Sequence, residues 1–113
     1  MASGMRERSV VVNKSASGAN ELVAAVTGAI IRVTQVALVA AEAVTVTFKS
    51  ATTAITGPMA WGANVPFIDR SAQQNRGLFA TAPGEALNMD LGAAKAVGGY
   101  ICVQIIPVTP SAL

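Results

Sequence analysis

No histidine occurs in this chain of 113 residues. That removes the commonest general base, the commonest zinc ligand and the base of a standard serine or cysteine triad. Cysteine is represented by Cys102 alone, so no intramolecular disulfide framework is encoded. Its place in the apolar run Tyr100–Ile106 predicts a small buried side chain rather than a reactive thiol. The aromatic residues are few: Phe48, Trp61, Phe67, Phe79 and Tyr100. Charge is scarce too, with 12% charged residues and a net charge of +2, about half the usual charged share of a globular domain. The acids Glu7, Glu21, Glu42, Asp69, Glu85 and Asp90 are scattered singly and spell out no calcium loop and no glycosidase pair. After residue 8, six Lys and Arg face five Asp and Glu, so no basic stripe supports a nucleic-acid partner. No run reaches the roughly 20 apolar residues of a membrane helix, because Leu22–Val46 is interrupted by Thr27, Gly28, Arg32, Gln35 and Glu42. Met1–Arg8 lacks the apolar core of a signal peptide. These absences predict a non-enzymatic chain with no cofactor, no metal, no membrane partner and no nucleic-acid partner.

What is present is Ala, Val and Thr in short runs. A chain of this length buries about two-thirds of its unfolded surface and suits one domain. Residues 1–8 read as a polar, flexible arm, residues 9–108 as the domain and residues 109–113 as a tail. Ser9–Asn13 carries three consecutive valines and reads as a strand, followed by the loop Lys14–Asn20 and a second strand Glu21–Val26. In Ala29–Ala41 the β-branched residues outweigh the alanines, which predicts a long strand, bent or bulged. Ala43–Ser50 is the clearest strand: Val44, Val46 and Phe48 alternate with Thr45, Thr47 and Lys49. Leu87, Met89 and Leu91 alternate in the same way. Between them lies an irregular excursion, Gly57–Arg76, with one short strand near Val65–Ile68. Gly98-Gly99 reads as a tight turn before the last strand, Tyr100–Val108. The sum is an all-β chain of about eight short strands with turn signals every 8–12 residues, the pattern of a single β-sandwich or jelly roll.

The candidate contact residues follow from this layout. Arg6 and Arg8 form a short basic start that can touch an acidic partner. Trp61 and Phe67 sit in the irregular excursion, where a large aromatic either plugs the end of the sandwich or anchors an interface. Arg70 and Arg76 flank the polar run Ser71–Asn75, and an Arg guanidinium makes several directed hydrogen bonds at an interface. The low charge itself implies that much of the surface is covered by other subunits.

Two pieces of the sequence, SGANELVAAVTGAIIRVTQVALVAAEAVTVTFKSATTAITGPM and GLFATAPGEALNMDLGAAKAVGGY, resemble a group of small bacteriophage virion proteins of the capsid-decoration, head-fibre or tail-fibre type. The likeness runs from Ser15 to Val103 and rests on strand and hairpin motifs, which mark a β scaffold and no catalytic site. It implies a cement protein, made in the host cytoplasm, that binds the major capsid protein on the outer surface of the virion and stabilises the shell. A homo-oligomer is expected, a trimer first, because trimers suit the threefold points of an icosahedral lattice. The alternative it leaves open is a receptor- or carbohydrate-binding module associated with a tail or head fibre.

Overall fold

The computed structural model describes residues 7–72 and 77–108. It is all-β among these residues, with ten strands: β1 (Glu7–Lys14), β2 (Gly18–Val23), β3 (Ala29–Ala40), β4 (Val44–Ser50), β5 (Thr53–Ala54), β6 (Met59–Trp61), β7 (Pro66–Arg70), β8 (Phe79–Ala80), β9 (Leu87–Leu91) and β10 (Val97–Pro107). Every pairing is antiparallel. The first sheet runs β1-β10-β3 and ends in β7 and β8, which pair with the two halves of β3. The second runs β2-β9-β4 and ends in β5 and β6, which pair with the two ends of β4. Each outer pair is one interrupted edge strand, so the expected eight strands are found as ten. The chain alternates between sheets from β1 to β4, and β9 and β10 then return between the earliest strands of each sheet. That wiring is the double Greek key of a jelly roll.

The inner faces follow the period of two. Val44, Val46 and Phe48 are buried while Thr45, Thr47 and Lys49 point away from the core. Leu87, Met89 and Leu91 of β9 and Ile101 and Val103 of β10 complete the layer. Each fully buried Val, Leu, Ile, Met or Phe contributes about 1.5–3 kcal/mol. Phe48 stands at the centre of the aromatic group, with ring centroids 5.1 Å from Phe79 and 6.5 Å from Trp61. The long turn between β8 and β9 is fastened to both sheets by hydroxyls. Ser50 Oγ donates to Glu85 at 2.5 Å and accepts from the Ala82 N–H at 2.9 Å, and Thr81 Oγ1 accepts from the Ile31 N–H at 3.0 Å.

Several sequence expectations are corrected here. β1 starts at Glu7, so Glu7 and Arg8 belong to a paired strand and not to an arm; residues 1–6 and the tail 109–113 lie outside the described residues. β2 starts at Gly18, inside the expected loop, because Asn20 is buried opposite Met89 and its amide donates to the Ala16 and Gly18 carbonyls. Gly98 and Gly99 form no turn. They lie inside β10 between β1 and β3. Gly99 has φ 134°, and a Cβ there would stand 2.1 Å from the Ala37 carbonyl oxygen, so a close backbone approach explains the glycine. The predicted bulge in β3 is present: Cys102 pairs with Gln35 and Val103 with Val33, leaving Thr34 as the extra residue. Its hydroxyl lies between the Glu7 carboxylate and the Cys102 carbonyl. Cys102 itself is half-buried and points outward, because Ile101 and Val103 take the inward positions.

Candidate functional site

The outward positions of the first sheet form a grid of rows, each crossing the strands in the order β1, β10, β3 and the β7–β8 edge. One row reads Asn13, Gly98, Val39, Pro66; the next Val11, Tyr100, Ala37, Ile68; the next Ser9, Cys102, Gln35, Arg70; the last Glu7, Gln104, Arg32, Ala80. The first two rows carry no charge. They hold the most exposed large apolar side chains of the described residues, Val11 at 81% and Ile68 at 67%, together with Tyr100 at 40%. Burying such side chains is favourable, and adjacent ones across a sheet mark an interaction surface. Gln35 Nε2 donates to the Tyr100 hydroxyl at 3.3 Å and closes the apolar rows toward the polar end. There Glu7, Thr34, Gln35, Arg70 and Ser71 line a depression of about 230 Å³. Arg32 Nε donates to Gln104 Oε1 at 3.0 Å and covers that corner.

The outer face of the second sheet is of the opposite kind. Its rows carry Glu21, Asn88 and Lys49, and Ala19, Asp90 and Thr47. Lys49 Nζ pairs with Asp90 Oδ2 at 2.7 Å. Lys95 Nζ, in the loop before β10, meets Glu42, in the loop before β4, at 2.8 Å, and its hydrogen bond and charge hold the Glu42 carboxyl below the usual carboxylate range. The first sheet therefore presents an uncharged apolar half beside a polar end that carries Glu7, Arg32 and Arg70, and the second sheet presents a charged, solvated face.

The residues singled out from the sequence are distributed unevenly over this frame. Trp61 is buried, with 6% exposure, and stacks on the half-buried Phe67 at 4.9 Å between ring centroids. Both rings lie between the sheets as an end plug, and neither is free to anchor a partner in this conformation. The Trp61 indole N–H has no hydrogen-bond partner among the described residues. Arg8 and Arg70 are exposed at the end of the first sheet where β1 begins and β7 ends. Arg6 and Arg76 lie outside the described residues. Sequence reasoning missed Val11, Tyr100, Ala37 and Ile68 as a surface. The available signal was contiguity: in a two-faced strand the runs Val10-Val11-Val12 and Phe67-Ile68 must send an apolar residue outward.

No group of His, Cys, Asp and Glu that would hold a metal occurs among the described residues. Burial and the Glu7 carboxylate push the Cys102 thiol up from its ordinary value, the opposite of nucleophile activation. No helix among the described residues is long and apolar enough to cross a membrane. The chain matches no family model, no curated protein and no solved structure.

Proposed function

We propose that this protein is a bacteriophage virion structural protein, a capsid decoration or cement protein that works as a small homo-oligomer on the outer surface of the major capsid protein shell. One observation carries the reading: the apolar rows through Val11, Tyr100, Ala37 and Ile68 form a face that favours being covered, opposite a face built for solvent. A module with two unlike faces suits a layered assembly. The sequence likeness to small phage virion proteins supplies the virion. The jelly-roll wiring agrees with it by analogy alone, since this fold recurs in viral capsid and lectin domains. The carbohydrate-binding alternative loses support from the burial of Trp61, because sugar stacking needs an accessible ring.

In this reading the function is mechanical. Weak contacts made by several copies at once hold the shell, because linked sites multiply affinity without new chemistry. The exposed guanidinium group of Arg8, at one end of the first sheet, is the group that meets the capsid. Cryo-electron microscopy of purified virions tests the proposal. Density for the jelly roll over the shell, in copy number comparable to the capsid protein, is expected. A few copies at the tail tip, or absence from particles, overturns it.

A further inference from the structure

We infer that the outer face of the first sheet is covered by the same face of a second copy, in an isologous dimer whose twofold axis runs parallel to the strands between β10 and β3. The inference deepens the proposed function by naming the contact that joins the copies, a closed twofold contact in place of the trimer expected from the sequence, and it rests on that reading only for the existence of an assembly.

The argument starts from the strand order. The first sheet runs β1-β10-β3 to the β7–β8 edge. A twofold axis between two such faces, parallel to the strands, lays β1 over the partner's β7 and β10 over the partner's β3. Each row then meets itself reversed. In the central row, Tyr100 comes over the partner's Ala37, and Val11 over the partner's Ile68. In the neighbouring row, Gly98 comes over the partner's Val39, and Asn13 over the partner's Pro66. Large therefore meets small at both central pairs, and apolar meets apolar at the edge pair of the central row. Two packed sheets need such interdigitation to close to about 10 Å. In the third row Ser9 faces the partner's Arg70, with Glu7 two residues further along β1, so each guanidinium finds a hydroxyl and a carboxylate within its reach. An axis perpendicular to the strands gives none of this, since it sets the Arg70 end of one copy on the apolar end of the other.

The area fits. Four strands about 4.8 Å apart, with about 3.3 Å per residue, give a face of about 500–750 Å² in projection. Side-chain relief brings that close to the 800 Å² or so per partner of a standard interface. The charged face of the second sheet stays in water, and an isologous contact uses each face once and closes without forming fibres.

Sedimentation equilibrium of the full chain is the first test, with an expected mass of twice 11.4 kDa. A mass of one chain or of three overturns the inference. Ile68 is exposed on an edge strand, so Ile68→Glu keeps the fold and is expected to weaken dimerisation at least tenfold. Tyr100→Ala and Ala37→Tyr each remove the match of large with small and are expected to do the same. The double variant Tyr100→Ala/Ala37→Tyr exchanges the two surfaces and restores the dimer. Circular dichroism verifies that each variant is folded. If the double variant stays as weak as the singles, Tyr100 does not face the partner's Ala37 and the geometry is wrong. A dimer missing from virions would sink the capsid reading alone, and a virion component that is monomeric in solution would sink this inference alone.

Discussion

At the scale of single residues, alternation decides both stability and exposure. Phe48 touches both the Trp61 and Phe79 rings and is almost fully buried, while its neighbour Thr47 faces outward. Phe48→Ala is expected to cost about 3–5 kcal/mol by leaving a cavity the aromatic cluster cannot fill. Thr47→Ala is expected to stay within about 0.5 kcal/mol. Urea unfolding measures both, and equal costs would refute the facing of β4. Cys102 is the residue that pattern reading misplaced. An apolar run in a sandwich reads as wholly buried, yet a strand must send alternate side chains outward, and Cys102 shares the outer face with Ser9 and Gln35. Its thiol is pushed up by burial and by Glu7, so the folded protein holds the proton to higher pH than the unfolded chain does. Alkylation by iodoacetamide at pH 8.5 is therefore expected to be slower in the folded protein than in urea. An equal or faster rate would show an activated thiol.

At the scale of elements, strands with clean alternation were legible and those defined by their neighbours were not. β4 and β9 declare themselves because Val44, Val46, Phe48, Leu87, Met89 and Leu91 alternate with polar residues. β3 was legible as a bulged strand because its β-branched residues outweigh its alanines. β2 and the start of β10 were not, since Gly18, Gly98 and Gly99 carry turn chemistry and only pairing with β9, β1 and β3 makes them strand. The apolar outer face was hidden for a related reason: Val11, Tyr100, Ala37 and Ile68 are spread over sequence and meet only through register. Gly99 gives this a measurable form. A Cβ there collides with the Ala37 carbonyl, so Gly99→Ala should pry β10 from β3 and cost about 3 kcal/mol or more. Gly28 has a similar requirement on φ, at 75°, but open space around it, and Gly28→Ala should cost only the strain of the left-handed conformation, about 1–2 kcal/mol. Comparable losses at the two sites in thermal unfolding would contradict the close approach.

At the scale of the whole molecule, the jelly roll closes on itself through its ends: β1 pairs with β10, with Glu7 opposite Gln104. The pairing is non-local, and the apolar rows of the outer face lie exposed in the single chain. A dimer formed through that face makes stability depend on protein concentration, because association stabilises the folded form by mass action. Each tenfold rise in concentration shifts a dimer's balance by about 1.4 kcal/mol, which is about 0.7 kcal/mol per chain. For a domain of this size that corresponds to roughly 3–5 °C in the unfolding midpoint. Scanning calorimetry over a hundredfold range of concentration is expected to show a rising midpoint for the natural sequence and a flat one for Ile68→Glu. A flat midpoint for the natural sequence would mean that the copies separate before the fold melts, and an equal rise in Ile68→Glu would mean that the copies associate through some surface other than the apolar rows of the first sheet.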